Sequence, residues 1–131
     1  MAGAGNDAIE GVEVVARAAL AATAVDVLGA DGYLLGTPAN IGYMSGALKH
    51  FFDQIYYPCL DETAGRPYAF YVHGNNDTTG AARAIESIAT GLQWKLVQKP
   101  LTVIGELTKD DSDACWELGA TVAASLTLDD R

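Results

Sequence analysis

The sequence YLLGTPANIGYMSGALKHFFD, residues 33–53, decides the fold of this chain. It begins with a short apolar run, continues through a loop of small residues, and ends in a segment whose apolar residues recur at helical spacing. This order is typical of a parallel strand whose carboxyl end leads into a helix. Open α/β sheets bind ligands outside the carboxyl ends of their strands, so this join is the first candidate for a functional site.

The helix after the loop is predicted from a single apolar stripe. Ser45 is a good N-cap candidate, because its hydroxyl can accept a free backbone N–H of the first turn. Pro58 lacks an N–H and helps to end the helix. The stripe positions i, i+3, i+4, i+7 and i+8 are occupied by Leu48, Phe51, Phe52, Ile55 and Tyr56.

The same alternation of strand and helix patterns continues on both sides of this stretch. We predict strands at residues 12–16, 33–36, 68–72 and 101–104. Helices are predicted at residues 21–28, from residue 45, at residues 81–92, and from a start at residues 110–112. Each strand is followed by a helix, and the connections are long enough to keep every strand parallel. Residues 1–131 are therefore expected to form one three-layer α/β domain, an open parallel sheet with helices on both faces.

Composition and charge exclude several classes of function. The formal net charge is −9 and the eight Lys and Arg residues are scattered, so we expect no nucleic-acid partner. No apolar run approaches the length of a membrane span, so membrane insertion is not expected either. Cys59 and Cys115 lie far apart, without partners at metal-ligand spacing, and are interpreted as structural thiols rather than a metal site. Because no signal peptide is recognisable, cytoplasmic location is the expectation.

The loop at residues 37–43 has the composition of a ligand-binding loop. Pro38 fixes one backbone angle, and Gly42 allows a ligand to approach the main chain closely. Asn40 adds amide donors and acceptors, while Ile41 and Tyr43 supply apolar cover for the flat face of a heterocycle. The alternative, which composition alone leaves equally open, is an ordinary strand-to-helix loop that needs proline and glycine only for its geometry.

The pattern T-P-x-x-x-G-x-x-S-G-x-L-K-x-F-x-D spans residues 37–53 and resembles the flavin-loop signature of a known family. That family comprises the flavodoxin-like NAD(P)H-dependent FMN reductases and quinone reductases. The resemblance implies a flavodoxin-like fold, and it implies that the first loop wraps the isoalloxazine and ribityl parts of FMN. Lys49 and Asp53 are expected to hold helix and loop together. The residues of this loop expected to contact the cofactor are Thr37, Pro38, Ala39, Asn40, Ile41, Gly42 and Tyr43.

A second loop, residues 73–80, follows the next predicted strand, and the resemblance places it on the other side of the flavin ring. The cofactor-binding candidates in this loop are His73, Gly74, Asn75, Asn76 and Asp77. Two alternatives stay open. Asp77 or Thr79 is a candidate cap for the following helix. His73 is either a histidine hydrogen-bonded at a strand end or, less favoured, a catalytic group. No catalytic base is assigned.

The front of the chain departs from the family pattern. A flavodoxin-like domain opens with a strand and a hydroxyl-rich turn that grips the FMN phosphate at a helix N-terminus, and both are missing from this sequence. In the strand order 2-1-3-4-5, the missing first strand lies between the strands predicted at residues 12–16 and 33–36. Three outcomes are open: a product that begins upstream, which we favour, a first strand that slides across to pair with residues 33–36, or stabilisation by a partner.

The function implied by the resemblance is transfer of hydride from NAD(P)H, through FMN, to a small-molecule acceptor such as a quinone. Such reductases form homodimers or homotetramers, and the same is expected of this chain. One alternative is a flavodoxin-like module that lacks functional FMN binding and serves as a binding or assembly subunit. Another is a flavodoxin-type electron carrier, which the acidic charge slightly favours.

Overall fold

The computed structural model describes residues 12–128 of the chain. The described elements follow one another in the order α1, β1, β2, α2, β3, α3, β4, β5 and α4. Their bounds are Ala24–Gly29 for α1, Tyr33–Asn40 for β1, Tyr43–Met44 for β2, Gly46–Cys59 for α2, Pro67–Gly74 for β3, Thr79–Gly91 for α3, Lys95–Leu96 for β4, Leu101–Ile104 for β5, and Lys109–Leu128 for α4.

The sheet is built around β3, which pairs in parallel with β1 on one side and with β4 and β5 on the other. In the register of β1 and β3, Tyr33 lies opposite Tyr68 and Pro38 opposite His73. β2 extends β1 as a short antiparallel hairpin, with Asn40 opposite Tyr43. The prediction that every strand is parallel is therefore wrong for β2, because a two-residue turn can only join antiparallel strands.

Helices cover both faces of the sheet, which confirms the predicted three-layer α/β architecture. Alternate residues of each central strand point to opposite faces. Leu35 and Phe70 pack into the larger core cluster with the apolar faces of α1, α2 and α3. Ala69, on the opposite face, packs against Leu118 and Val122 of α4. Burial on both faces explains why the central strands read as nearly continuous apolar runs.

The α2 prediction is confirmed in detail. The Ser45 side chain accepts a hydrogen bond from the Leu48 N–H, as an N-cap should. Of the predicted stripe, Tyr56 alone is not fully buried. Pro58 lies within the last turn, one residue before the helix ends at Cys59.

The strand predicted at residues 12–16 is wrong, because residues 12–18 form no regular element. A strand needs a hydrogen-bonding partner along its length. Among residues 12–128, none pairs with the edge of β1 that faces away from β3, except at the β2 hairpin. A groove of about 870 Å³ lies along that edge, and residues 12–17 form part of its lining. The structure therefore does not show the first strand sliding across to pair with β1.

Candidate functional site

Three connections meet at the carboxyl edge of the sheet. The first is the β1–β2 hairpin, whose turn is Ile41 and Gly42. The second, the β3 loop, is residues 75–78, and the third, the β5 loop, is residues 105–108. Parallel pairing brings them together, because β1, β3 and β5 end side by side, with Gly74 opposite Ile104. This is the position where open α/β sheets bind their ligands.

The segment predicted as a loop at residues 37–43 is a tight hairpin instead. β1 continues to Asn40, and both turn residues have positive φ, 50° at Ile41 and 75° at Gly42. Two successive residues with positive φ define the type I′ turn, which matches the twist of an antiparallel pair. A β-branched residue rarely adopts this conformation, which is one reason the sequence did not indicate a hairpin.

The tip of the hairpin is exposed. Ile41 is completely open to solvent, and Tyr43 is 41% exposed. Pro38 is exposed as well, and Ala39 is half-buried. The side chain of Asn40 lies outside the described part of the structure. The hairpin therefore presents two apolar side chains together with the main chain of its turn.

Thr37 behaves differently from the other candidates in this segment, because it is buried. Its hydroxyl donates to the Pro38 carbonyl at 2.8 Å and accepts from the Ser45 N–H at 2.9 Å. The hydroxyl thus ties the start of the hairpin to its return strand, just before α2. Both hydrogen bonds of the Thr37 side chain are therefore made to backbone groups.

Gly74 lies at the centre of the three connections. It is buried, and its carbonyl accepts the Gly105 N–H at 2.9 Å. A Cβ placed on Gly74 would stand 3.0 Å from the Ala39 Cβ and 3.4 Å from the Thr78 Cγ2. The close approach of β1 to the end of β3 therefore depends on a residue without a side chain.

The β3 loop is polar and exposed at Asn75, Asn76 and Asp77. Asp77 accepts the N–H of Thr79, the first residue of α3, at 2.9 Å. Hydrogen bonds from the backbone and side chain of Thr79 lower the pKa of the Asp77 carboxyl. The Asp77 carboxylate thus satisfies a free N–H at the start of the helix, although the N-cap position itself is occupied by Thr78 and not by Asp77 or Thr79 as predicted. Asn75 and Asn76 keep their side chains towards solvent.

His73 joins the β3 strand to the β5 loop. Its Nε2 lies within hydrogen-bond distance of the Gly105 carbonyl, and because a carbonyl only accepts, Nε2 is the donor. The ring is half-buried, and the interpretation of a histidine hydrogen-bonded at a strand end is confirmed. This bond fixes the β5 loop where Gly105 has a φ of 89°.

The β5 loop is part of the site that the sequence interpretation missed. It contributes Leu107 to a cavity of about 440 Å³ between the strand ends and α4. Pro38, His73 and Cys115 also line this cavity, with Asp111 as the one carboxylate and no lysine or arginine. Burial, together with the nearby Cys115 thiol, raises the pKa of Tyr71, which lies in the same wall. The sequence could have indicated this loop, because the expectation that ligands bind at the carboxyl ends of parallel strands applies equally to the strand that ends at Ile104.

The remaining sequence candidates have structural or surface roles. Lys49 and Asp53 form an ion pair one turn apart within α2, so they join two turns of the helix rather than the helix and the loop, as had been expected. Cys59 is buried and Cys115 half-buried, both as free thiols. Within residues 12–128, no group of three His, Cys, Asp or Glu side chains is arranged to hold a metal ion. In the same range, no helix is long and apolar enough to cross a membrane.

Comparison with known proteins gives this edge of the sheet its context. The family model for NADPH-dependent FMN reductase matches residues 8–108, which include the hairpin and both later loops. The chain belongs to this family. A protein named flavodoxin from Aquifex aeolicus is similar to it, 36% identical over 135 aligned residues that cover 91% of this chain and 73% of that protein.

Solved structures of flavodoxins and of a WrbA-like protein have a similar fold. The Streptococcus pneumonia flavodoxin superimposes with a TM-score of 0.73, at 16% identity, over 88% of this chain and 80% of its own. A WrbA-like flavodoxin from Agrobacterium tumefaciens gives a TM-score of 0.70, at 17% identity, over 79% of this chain and 71% of its own. At such identities the likeness concerns the fold alone.

Proposed function

We propose that this member of the NADPH-dependent FMN reductase family is an FMN-dependent oxidoreductase that takes electrons from NAD(P)H and delivers them to a small acceptor such as a quinone. One observation carries the proposal: the hairpin turn and the largely exposed β3 loop lie side by side at the carboxyl edge of the sheet. FMN supplies the hydride and electron chemistry when it is bound.

The residues at this edge fit the flat part of a flavin. Gly74 allows β1 to lie close to the end of β3, which brings the backbone of the hairpin next to that of the β3 loop. The backbone of residues 38–42 and 74–77 would hold the polar edge of the ring. Ile41 and Tyr43 are exposed beside it and would cover its apolar face, excluding water.

Thr37 and His73 stabilise the segments that would hold the ring. Thr37 holds the base of the hairpin through the Ser45 N–H, and His73 holds the β5 loop through the Gly105 carbonyl. Neither interaction places a general base next to a substrate proton, so we assign no catalytic base. The protein's part is to bind, orient and shield the ring.

Residues 12–128 do not offer an equivalent grip for a phosphate. On the free side of β1, residues 12–18 form no strand and no strand-to-helix turn with hydroxyl side chains. Phosphate sites of this fold type use the free N–H groups of a helix N-terminus that follows a strand. The proposal therefore rests on contacts to the ring.

The test is a titration of the purified 131-residue chain with FMN, followed by NAD(P)H oxidation with and without a quinone. Binding seen as quenched flavin fluorescence, together with NAD(P)H oxidation that depends on added FMN, is the expected result. Lack of any flavin binding contradicts the proposal and supports the alternative of a module that serves as a binding or assembly subunit.

An electron-carrying flavodoxin is the second candidate, favoured by the Aquifex aeolicus similarity and by the net charge of −9. It predicts flavin binding with no direct turnover of NAD(P)H, so the same pair of measurements separates it from the reductase. Cytoplasmic location and assembly into homodimers or homotetramers remain predictions. Light scattering on the purified chain measures the second.

A further inference from the structure

The hairpin turn rests directly on the N-terminus of α3 at one residue, Gly80. A Cβ built on Gly80 would lie 2.0 Å from the carbonyl oxygen of Gly42 and 3.3 Å from its carbonyl carbon. Both are backbone atoms, so no side-chain rotation relieves the overlap. Helix and hairpin are therefore in main-chain contact, and that contact is possible because position 80 carries no side chain.

The conformation of the turn makes this contact important. Ile41 has a φ of 50°, a left-handed conformation that is strained for a β-branched residue and persists when the surroundings enforce it. The Ile41 side chain contributes nothing to that enforcement, because it is fully exposed. The base of the hairpin is held by Thr37 and Ser45, and the tip is held against α3 at Gly80.

We propose that Gly80 is a positioning residue, which sets the distance between the flavin-contacting backbone of the hairpin turn and the β3 loop. This inference rests on the proposed function. Gly80 itself contacts no ligand in the proposal, because it acts through the Gly42 carbonyl. It lies where α3, which begins immediately after residues 75–78, contacts the hairpin turn.

The size of the effect follows from the overlap. To reach ordinary contact at 3.4 Å from a new Cβ, the Gly42 carbonyl must move by about 1.4 Å. A misplacement of about 1 Å in a binding or catalytic constellation can cost a factor of about 100. We therefore expect Gly80→Ala to weaken flavin binding at least tenfold.

The experiment compares Gly80→Ala with Gly46→Ala in the full chain. Gly46 is the matched control, because it also lies in the first turn of a helix, is exposed, and has open space where a Cβ would be placed. For each variant, flavin dissociation constants are measured by fluorescence, the bound flavin by visible circular dichroism, and amide exchange at residues 41–44 without ligand. We expect weaker binding, an altered visible spectrum and faster exchange in Gly80→Ala alone.

The outcomes separate the two proposals. Wild-type chain that binds no flavin refutes the proposed function, and the amide-exchange comparison then still tests the contact at Gly80. Wild-type binding with equal constants, spectra and exchange in both variants overturns the positioning role. Should Gly80→Ala lose its far-ultraviolet spectrum, the double variant Ile41→Gly/Gly80→Ala, which removes the left-handed strain, takes its place. Failure of both to fold also overturns it, because the contact would then serve the fold as a whole.

Discussion

Replacing Thr37 by valine tests whether this site residue serves the hairpin or the ligand. The substitution keeps the branched shape and removes the hydroxyl, which donates to Pro38 and accepts from the Ser45 N–H. An unsatisfied buried donor costs about 1–3 kcal/mol. Because Ser45 is only half-buried, water can reach part of the lost bond, and we expect the free energy of unfolding to fall by about 1–2 kcal/mol.

For a chain of this length, that loss corresponds to a fall in Tm of roughly 3–8 °C. Urea unfolding followed by circular dichroism measures the change in the free energy of unfolding. Thr102→Val is the control, since Thr102 is an exposed threonine in β5. Thr37→Ser, which restores the hydroxyl, should recover most of the loss. A Thr37→Val variant as stable as the control refutes the reasoning. So does a large loss of flavin affinity with unchanged stability, because the hydroxyl would then contact the ligand.

Three further predictions test other parts of the structure. Thr63→Val should lower the free energy of unfolding by about 1–3 kcal/mol in urea melts, because the Trp94 Nε1–H loses its buried acceptor at 2.8 Å, and Thr63→Ser should not. Riboflavin should bind within about threefold of FMN in fluorescence titrations, whereas a charge-assisted phosphate contact, worth about 1.5–3 kcal/mol, would favour FMN more than tenfold. The lowered pKa of Asp77 means that its carboxylate stabilises the fold above about pH 4, and that this contribution is lost as the pH falls through the depressed pKa. Asp77→Asn should therefore be less stable than wild type in urea melts at pH 6, and the difference should shrink as the pH falls below about 4. A difference that does not change with pH would show that the carboxylate charge is not the cause.

Local sequence patterns predicted the elements whose signals are local. The α2 stripe and the Ser45 cap depend on residues within a few positions of each other, and so does the strand at residues 101–104. The failure at residues 12–16 has a different origin. The pattern VEVVA favours a strand, yet a strand forms only beside a partner. Apart from β2, none of the described residues pairs with the free edge of β1, where that partner would lie.

The sequence predicted which segments come together at the strand ends, but not how they are held there. The strand-end rule located residues 37–43 and 73–77, and pairing of β1 with β3 brings them together. The rule could not indicate that Thr37 is turned inward or that Ile41 adopts a positive φ, since neither follows from residue type. The contact at Gly80 could not be predicted from the sequence either, because it depends on how α3 packs against the hairpin turn.

The supports of this site share a physical character. Thr37 bonds the Ser45 N–H, His73 bonds the Gly105 carbonyl, and Gly80 makes room for the Gly42 carbonyl. In each case a side chain, or its absence, positions main chain. Under the proposed function, such a site would present backbone groups to a flat ring, and backbone groups are the same whichever residues carry them. Exposed side chains of the β3 loop, such as Asn75, should therefore tolerate substitution better than these three buried or half-buried supports.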